Sequence, residues 1–146
     1  ADPRLIEKEI LLLDDRVKDF ELLVKKLQWL ASIKAPACTL YLLVIPHSCQ
    51  VSQTYLDRTK RLGAKFENQT LVEQNDYPFV QQLRQRVKGA IIIDPLLVFK
   101  DAEKSGIPLY WPNDIHLNPN GNEVLAKYVS AVLMTEDQRT ECEFHK

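Results

Sequence analysis

Thr39-Leu40-Tyr41-Leu42-Leu43-Val44-Ile45, stopped by Pro46, decides how the rest of this chain is read. Seven apolar or β-branched residues, bounded by prolines at 36 and 46, predict a strand near 39–45 buried on both faces. A second run of this kind, Ala90-Ile91-Ile92-Ile93, is closed by Asp94-Pro95 and predicts a strand at 90–93. Helical patterns separate the two. Val51 to Leu62 precedes a stop at Gly63, and Pro78 to Lys88 precedes one at Gly89. Strands joined through helices pair in parallel, so the fold class is α/β. Two strands are fewer than the usual four to six or so. The expectation is therefore an incomplete sheet, finished by more of the same domain or by a second chain.

Upstream, residues 5–33 read as one long amphipathic helix, with Ile6, Ile10, Leu13, Val17, Phe20, Val24, Leu27 and Leu30 or Ala31 at four-three spacing. The spacing also suits a coiled-coil seam, but the stripe is wider than a strict seam and so favours a helix packed on a sheet. Downstream, Leu96 to Lys104 predicts a helix capped by Asp94 and Pro95, and Leu109-Tyr110-Trp111 a short extended segment. A loop at 112–119 leads into a C-terminal helix at 120–134, and 136–146 reads as a polar tail.

With 19 basic and 20 acidic residues in 146, the net charge of −1 argues against binding nucleic acid by phosphate neutralisation. No apolar run is long enough to span a membrane, and the amino-terminal residues lack the pattern of a secretory signal. Cys38, Cys49 and Cys142 are too few and too scattered for a zinc ribbon or a disulfide scaffold. If Cys38 and Cys49 flank one strand, they lie roughly 35 Å apart and cannot bridge. Compartment is left open, with a lean to an extracytoplasmic (periplasmic or secreted) setting. Asn68-Gln69-Thr70 is a glycosylation sequon, relevant only in a eukaryotic secretory host.

Chemistry concentrates in Tyr110-Trp111-Pro112-Asn113-Asp114-Ile115-His116-Leu117-Asn118-Pro119-Asn120-Gly121. A carboxylate two residues before a histidine can accept from one ring nitrogen, fix the tautomer and leave the other nitrogen as a general base. Pro119 and Gly121 pin the turn, and the helix that follows holds it. The residues predicted to act are His116 and Asp114 as catalytic groups, with Trp111 and Tyr110 walling a substrate pocket or packing in the core. His47, Ser48 and Cys49 read as a surface loop after the first strand. Ser48 or Cys49 as a replacement nucleophile is the alternative there. A metal site from His47, Asp114 and His116 would have too few ligands.

The block Asp-x-His-x-Asn-x-x-Gly, followed by a helix, resembles the last conserved block of the SGNH (GDSL-type) hydrolases. The Leu109-Tyr110-Trp111 segment before it makes it similar to bacterial SGNH domains linked to polysaccharide O-acetylation. Upstream, Leu42 to Pro46 with Gln50-Val51 and Tyr55 looks like the family's fourth core strand and its loop, and Ile91 to Pro95 like its fifth. The resemblance spans about residues 5–135. It implies a three-layer α/β/α flavodoxin-like parallel sheet of which this chain holds only the C-terminal strands. It also implies a serine esterase or O-acetyltransferase acting without a cofactor on an acyl ester or acetylated carbohydrate. His116 would be the base and Asp114 its orienting acid. The family's Gly-Asp-Ser block and its Gly-x-Asn block have no counterpart here. Ser32, Ser48, Ser52, Ser105 and Ser130 never follow Gly-Asp. The chain is therefore expected to be inert alone, its nucleophile coming from the missing N-terminal half. The alternative is a non-catalytic SGNH-like module that oligomerises through the long N-terminal helix.

Overall fold

A computed structural model describes residues 6–13, 16–33, 38–67 and 71–144, with side chains described as far as Thr135. The sequon at 68–70 and the side chain of Cys142 lie outside the described residues. In chain order the elements are α1 (Ile6–Leu11), α2 (Arg16–Ile33), β1 (Leu40–Leu43), α3 (Ser48–Val51), α4 (Gln53–Arg61), a 3-10 turn (Leu71–Glu73), α5 (Pro78–Arg86), β2 (Ala90–Ile93), α6 (Leu96–Lys104) and α7 (Pro119–Phe144). This is a mixed α/β chain, dominated by helix, around a small sheet. β1 and β2 pair in parallel, with Leu40 opposite Ala90 and Leu43 opposite Ile93. Among the described residues the sheet has only these two strands. Each strand therefore has one edge with no strand beside it.

The long helix of 5–33 is broken. Leu12 takes φ +55°, the left-handed conformation that β-carbons disfavour. Leu13 N–H then reaches back to Lys8 O at 2.8 Å and Leu12 N–H to Glu9 O at 3.4 Å, the paired bonds of a Schellman stop. The break lets the two pieces serve different cores. Ile6 and Ile10 pack with Cys49, Tyr55, Leu56, Leu71, Tyr77, Phe99 and Tyr110. Phe20 and Val24 pack with Leu83 and Val87 of the α5 segment and cover Leu42, Ala90 and Ile92 on one face of the sheet. Arg86 clamps the same helix pair through both oxygens of Glu21, at 2.5 and 2.6 Å. Leu13, Val17 and Leu30, expected on the buried stripe, are exposed.

The strands are not buried on both faces as expected. Only Ile93 is buried, and Leu43 stays 42% exposed. A two-stranded sheet has too little width for its helices to close over both faces and both edges. α6 occupies the range expected of it, with Asp94 Oδ1 accepting Leu96 N–H at 3.1 Å. α7 does not end near Met134 but runs to Phe144 through the segment read as a tail. Among the described residues, no helix is long and apolar enough to cross a membrane.

Candidate functional site

Loop 109–118 is tied to Pro46, just past the carboxyl end of β1, the end at which α/β sheets place their ligand sites. Its position follows from a buried clasp. Glu103 Oε1 accepts Leu109 N–H at 2.6 Å and the Tyr55 hydroxyl at 2.7 Å. Tyr55 Oη in turn accepts Tyr110 N–H at 3.1 Å. The Tyr110 hydroxyl donates to Pro46 O at 2.6 Å, tying the loop to the residue that ends the first apolar run. Tyr110 and Leu117 form an isolated antiparallel bridge, Trp111 N–H donates to His116 O at 3.2 Å, and Asn118 N–H to Leu109 O at 2.9 Å. The loop is thus a small hairpin sewn to the core.

Its far end is anchored by Asn118. The side-chain oxygen accepts Gly121 N–H at 3.0 Å, and the amide donates to Pro108 O at 2.8 Å. Asn118 thereby caps α7 and grips the incoming strand of the hairpin at once. Gly121 sits directly against that strand, where a β-carbon would collide with the Leu109 carbonyl oxygen and meet Leu117 Cδ2 at 3.0 Å. At the tip, Asn113 adopts φ +59°, a conformation asparagine tolerates better than most residues.

This scaffold puts His116 Nδ1 2.6 Å from Asp114 Oδ1, which also accepts His116 N–H at 3.1 Å. The hydrogen bond from His116 holds the Asp114 carboxyl below the usual aspartate range. In the neutral ring, an Nδ1–H donating to this carboxylate leaves the lone pair on Nε2. No hydrogen bond occupies Nε2 among the described residues. Both side chains are open to solvent, His116 at 77% and Asp114 at 45%. Asp114 lines a cavity of about 140 Å³ with Asn113, Ile115, His47, Ser48 and Arg58. The pair can accept a proton from an incoming hydroxyl and stabilise the resulting imidazolium. By itself it supplies neither nucleophile nor oxyanion donors.

Of the two readings of Tyr110, packing in the core is the one the structure bears out: it is 2% exposed, and its hydroxyl donates to Pro46 O. Trp111, next to it, is half exposed. The expected surface loop at His47, Ser48 and Cys49 is overturned: His47 caps the short helix α3, where Ser48 and Cys49 are buried because α4, α6 and the 3-10 turn pack against it. Burial pushes the Cys49 thiol up to about 12, so it is no activated nucleophile. Cys38 and Cys49 are both free. Among the described residues, no group of three His, Cys, Asp or Glu side chains is placed to hold a metal ion.

His47 is the residue the sequence reading undervalued. Its Nδ1 accepts Cys49 N–H at 3.4 Å, and Gln50 Oε1 accepts its own N–H at 2.7 Å, a capping box with histidine in the capping position. The spacing His-x-x-Gln was the available signal, but histidine is not among the usual caps. Burial pushes His47 down to about 4, from an ordinary 6.5. Between those pH values the unfolded chain binds a proton that the folded chain does not. Stability contributed by neutral His47 is thus full above pH 6.5 and lost as pH falls to 4. Urea unfolding is expected to lose about 3 kcal/mol across this window, and His47→Asn to remove that part of the slope. An identical pH profile in the variant would show that His47 is not the group responsible.

The chain matches none of the protein-family models, curated proteins or solved structures with which it was compared.

Proposed function

We propose that this chain carries the histidine–aspartate half of an SGNH-type serine esterase or O-acyltransferase. The observation that supports this most is the 2.6 Å pair of His116 Nδ1 and Asp114 Oδ1 on a hairpin tied to Pro46, just past the carboxyl end of β1. In this reading His116 Nε2 takes the proton of a serine hydroxyl as the serine oxygen attacks an acyl ester. The departing alcohol receives that proton, leaving an acyl-serine. Water or a sugar hydroxyl then attacks the acyl-serine with the same histidine as base, releasing acid or transferring the acyl group. Asp114 orients the ring throughout. No cofactor is required. The serine and the oxyanion donors come from the preceding half of the domain, or from a second chain. Its strands would extend the sheet into a three-layer flavodoxin-like core.

The test is hydrolysis of nitrophenyl acetate by this chain alone and by this chain joined to the segment its gene encodes upstream. The joined form should hydrolyse the ester and take a fluorophosphonate label on a serine outside residues 1–146, while the chain alone does neither. A labelled serine within this chain, or no activity in the joined form, overturns the proposal. A second reading, a non-catalytic interaction module, draws on the apolar surface of α2, where Leu22 is 55%, Trp29 63% and Ile33 55% exposed. It requires a concentration-dependent oligomer in sedimentation that Leu22→Glu with Trp29→Glu dissolves, in a protein that stays inactive when joined.

A further inference from the structure

The cavity of about 140 Å³ that Asp114 lines is shared between the hairpin tip and α4, which contributes Tyr55, Arg58 and Thr59. Arg58 is half-buried there, its guanidinium carbon over the Tyr55 ring, 5.6 Å from the centroid. Tyr55 lines the same cavity and is itself fixed, its hydroxyl donating to Glu103 Oε1. The ring therefore holds the guanidinium at the cavity wall. A contact of this kind supplies no oxygen, so the N–H donors of Arg58 still want acceptors.

The chain meets that need elsewhere with carboxylates. Arg84 bridges Asp76 and Asp94, Arg86 grips Glu21, and Arg16 meets Asp19. Arg58 has neither an ion pair nor a hydrogen bond among the described residues. A guanidinium offers a flat fork of N–H donors that matches the two oxygens of a carboxylate. The rest of the lining decides which anion fits. Among the described residues Arg58 is its one cation near neutral pH, because burial pushes His47 down to about 4. Asp114 adds a negative charge, already engaged by His116 Nδ1. A single positive charge with a negative one nearby suits a monoanion and disfavours a phosphate dianion. Ile6, Leu62 and Ile115 add apolar wall. The volume equals that of about five water molecules at roughly 30 Å³ each, so the occupant is short.

We propose that this cavity binds a short aliphatic carboxylate, both oxygens on the Arg58 guanidinium and the chain against Ile6, Leu62 and Ile115. The proposal stands whether or not His116 and Asp114 are catalytic. The experiment is titration of the full chain, at constant ionic strength, with sodium butyrate, with neutral butyramide and with inorganic phosphate. A pH of about 8 keeps phosphate chiefly a dianion. Binding is followed by the methyl resonances of Ile6, Leu62 and Ile115 and the δ-methylene of Arg58.

Saturable shifts at all four residues are expected with butyrate, with butyramide and phosphate each binding about tenfold more weakly or worse. Arg58→Gln keeps a long polar side chain and loses the charge. It should weaken butyrate by about tenfold or more and leave butyramide unchanged, in a protein whose spectrum otherwise matches the parent's. His116→Ala should leave butyrate binding unchanged, which separates Arg58 from the imidazole as the anchor. No saturable shift with butyrate overturns the proposal. So does equal or tighter binding of butyramide or phosphate, undiminished butyrate binding by Arg58→Gln, or its loss in His116→Ala.

Discussion

His116→Ala, made in the joined form of the domain, is expected to lower kcat/KM for nitrophenyl acetate by about 10⁴-fold, with circular dichroism unchanged. The side chain is 77% exposed, so its removal opens no cavity and leaves the hairpin's backbone bonds intact. A purely structural histidine at such a position would be worth little, and the size of the loss therefore separates the two roles. Asp114→Asn should cost a comparable amount for a different reason. An amide can present its N–H to Nδ1 and turn the ring's lone pair away from Nε2. Full activity in His116→Ala would remove the pair from the mechanism. Full activity in Asp114→Asn alone would leave the histidine and discard its partner.

Gly121→Ala is the second large effect, and two opposed terms decide its sign. In a helix, alanine is favoured over glycine by about 1 kcal/mol. Against that stands the collision of the new β-carbon with the Leu109 carbonyl. That oxygen cannot retreat cheaply, because it accepts Asn118 N–H at 2.9 Å, and Asn118 itself holds Gly121 and Pro108. Overpacking against fixed backbone costs about 1–3 kcal/mol or more, so the variant should unfold about 2 kcal/mol sooner in urea. Because Leu109 begins the hairpin, the shift should also part His116 from Asp114, and the joined form should lose activity. A Gly121→Ala protein as stable as the parent would mean that α7 and the hairpin do not approach as closely as the geometry requires.

How much of this could be read from the sequence differs from place to place, for physical reasons. The two strands and their parallel pairing were legible, because short continuous apolar runs closed by proline have few other uses. Their depth was not, since burial depends on how many neighbours the sheet has. The turn before α7 was legible in Pro119 and Gly121, while its cap by Asn118 was not, because that side chain also answers to Pro108 across the hairpin. The break at Leu12 was not. No glycine or proline marks it, and the apolar period continues across it, while the two halves of the stripe face different cores. The pairing of positions 114 and 116 is local and could be anticipated as chemistry. What His47 does could not, because the helix it caps is packed by α6 and the 3-10 turn, which lie much later in the chain. Tyr110 was ambiguous for the same reason: only its distant partner, Pro46, decides that it belongs to the core.

Among the described residues no strand pairs with the outer edge of either strand of the sheet, and this carries a practical meaning. Backbone amides and carbonyls along Leu40–Leu43 form a ready template, and Leu43 and Ile45 beside them add greasy surface. An edge of this kind favours pairing with a further strand, so turbidity is expected to rise with protein concentration, which light scattering across a dilution series checks.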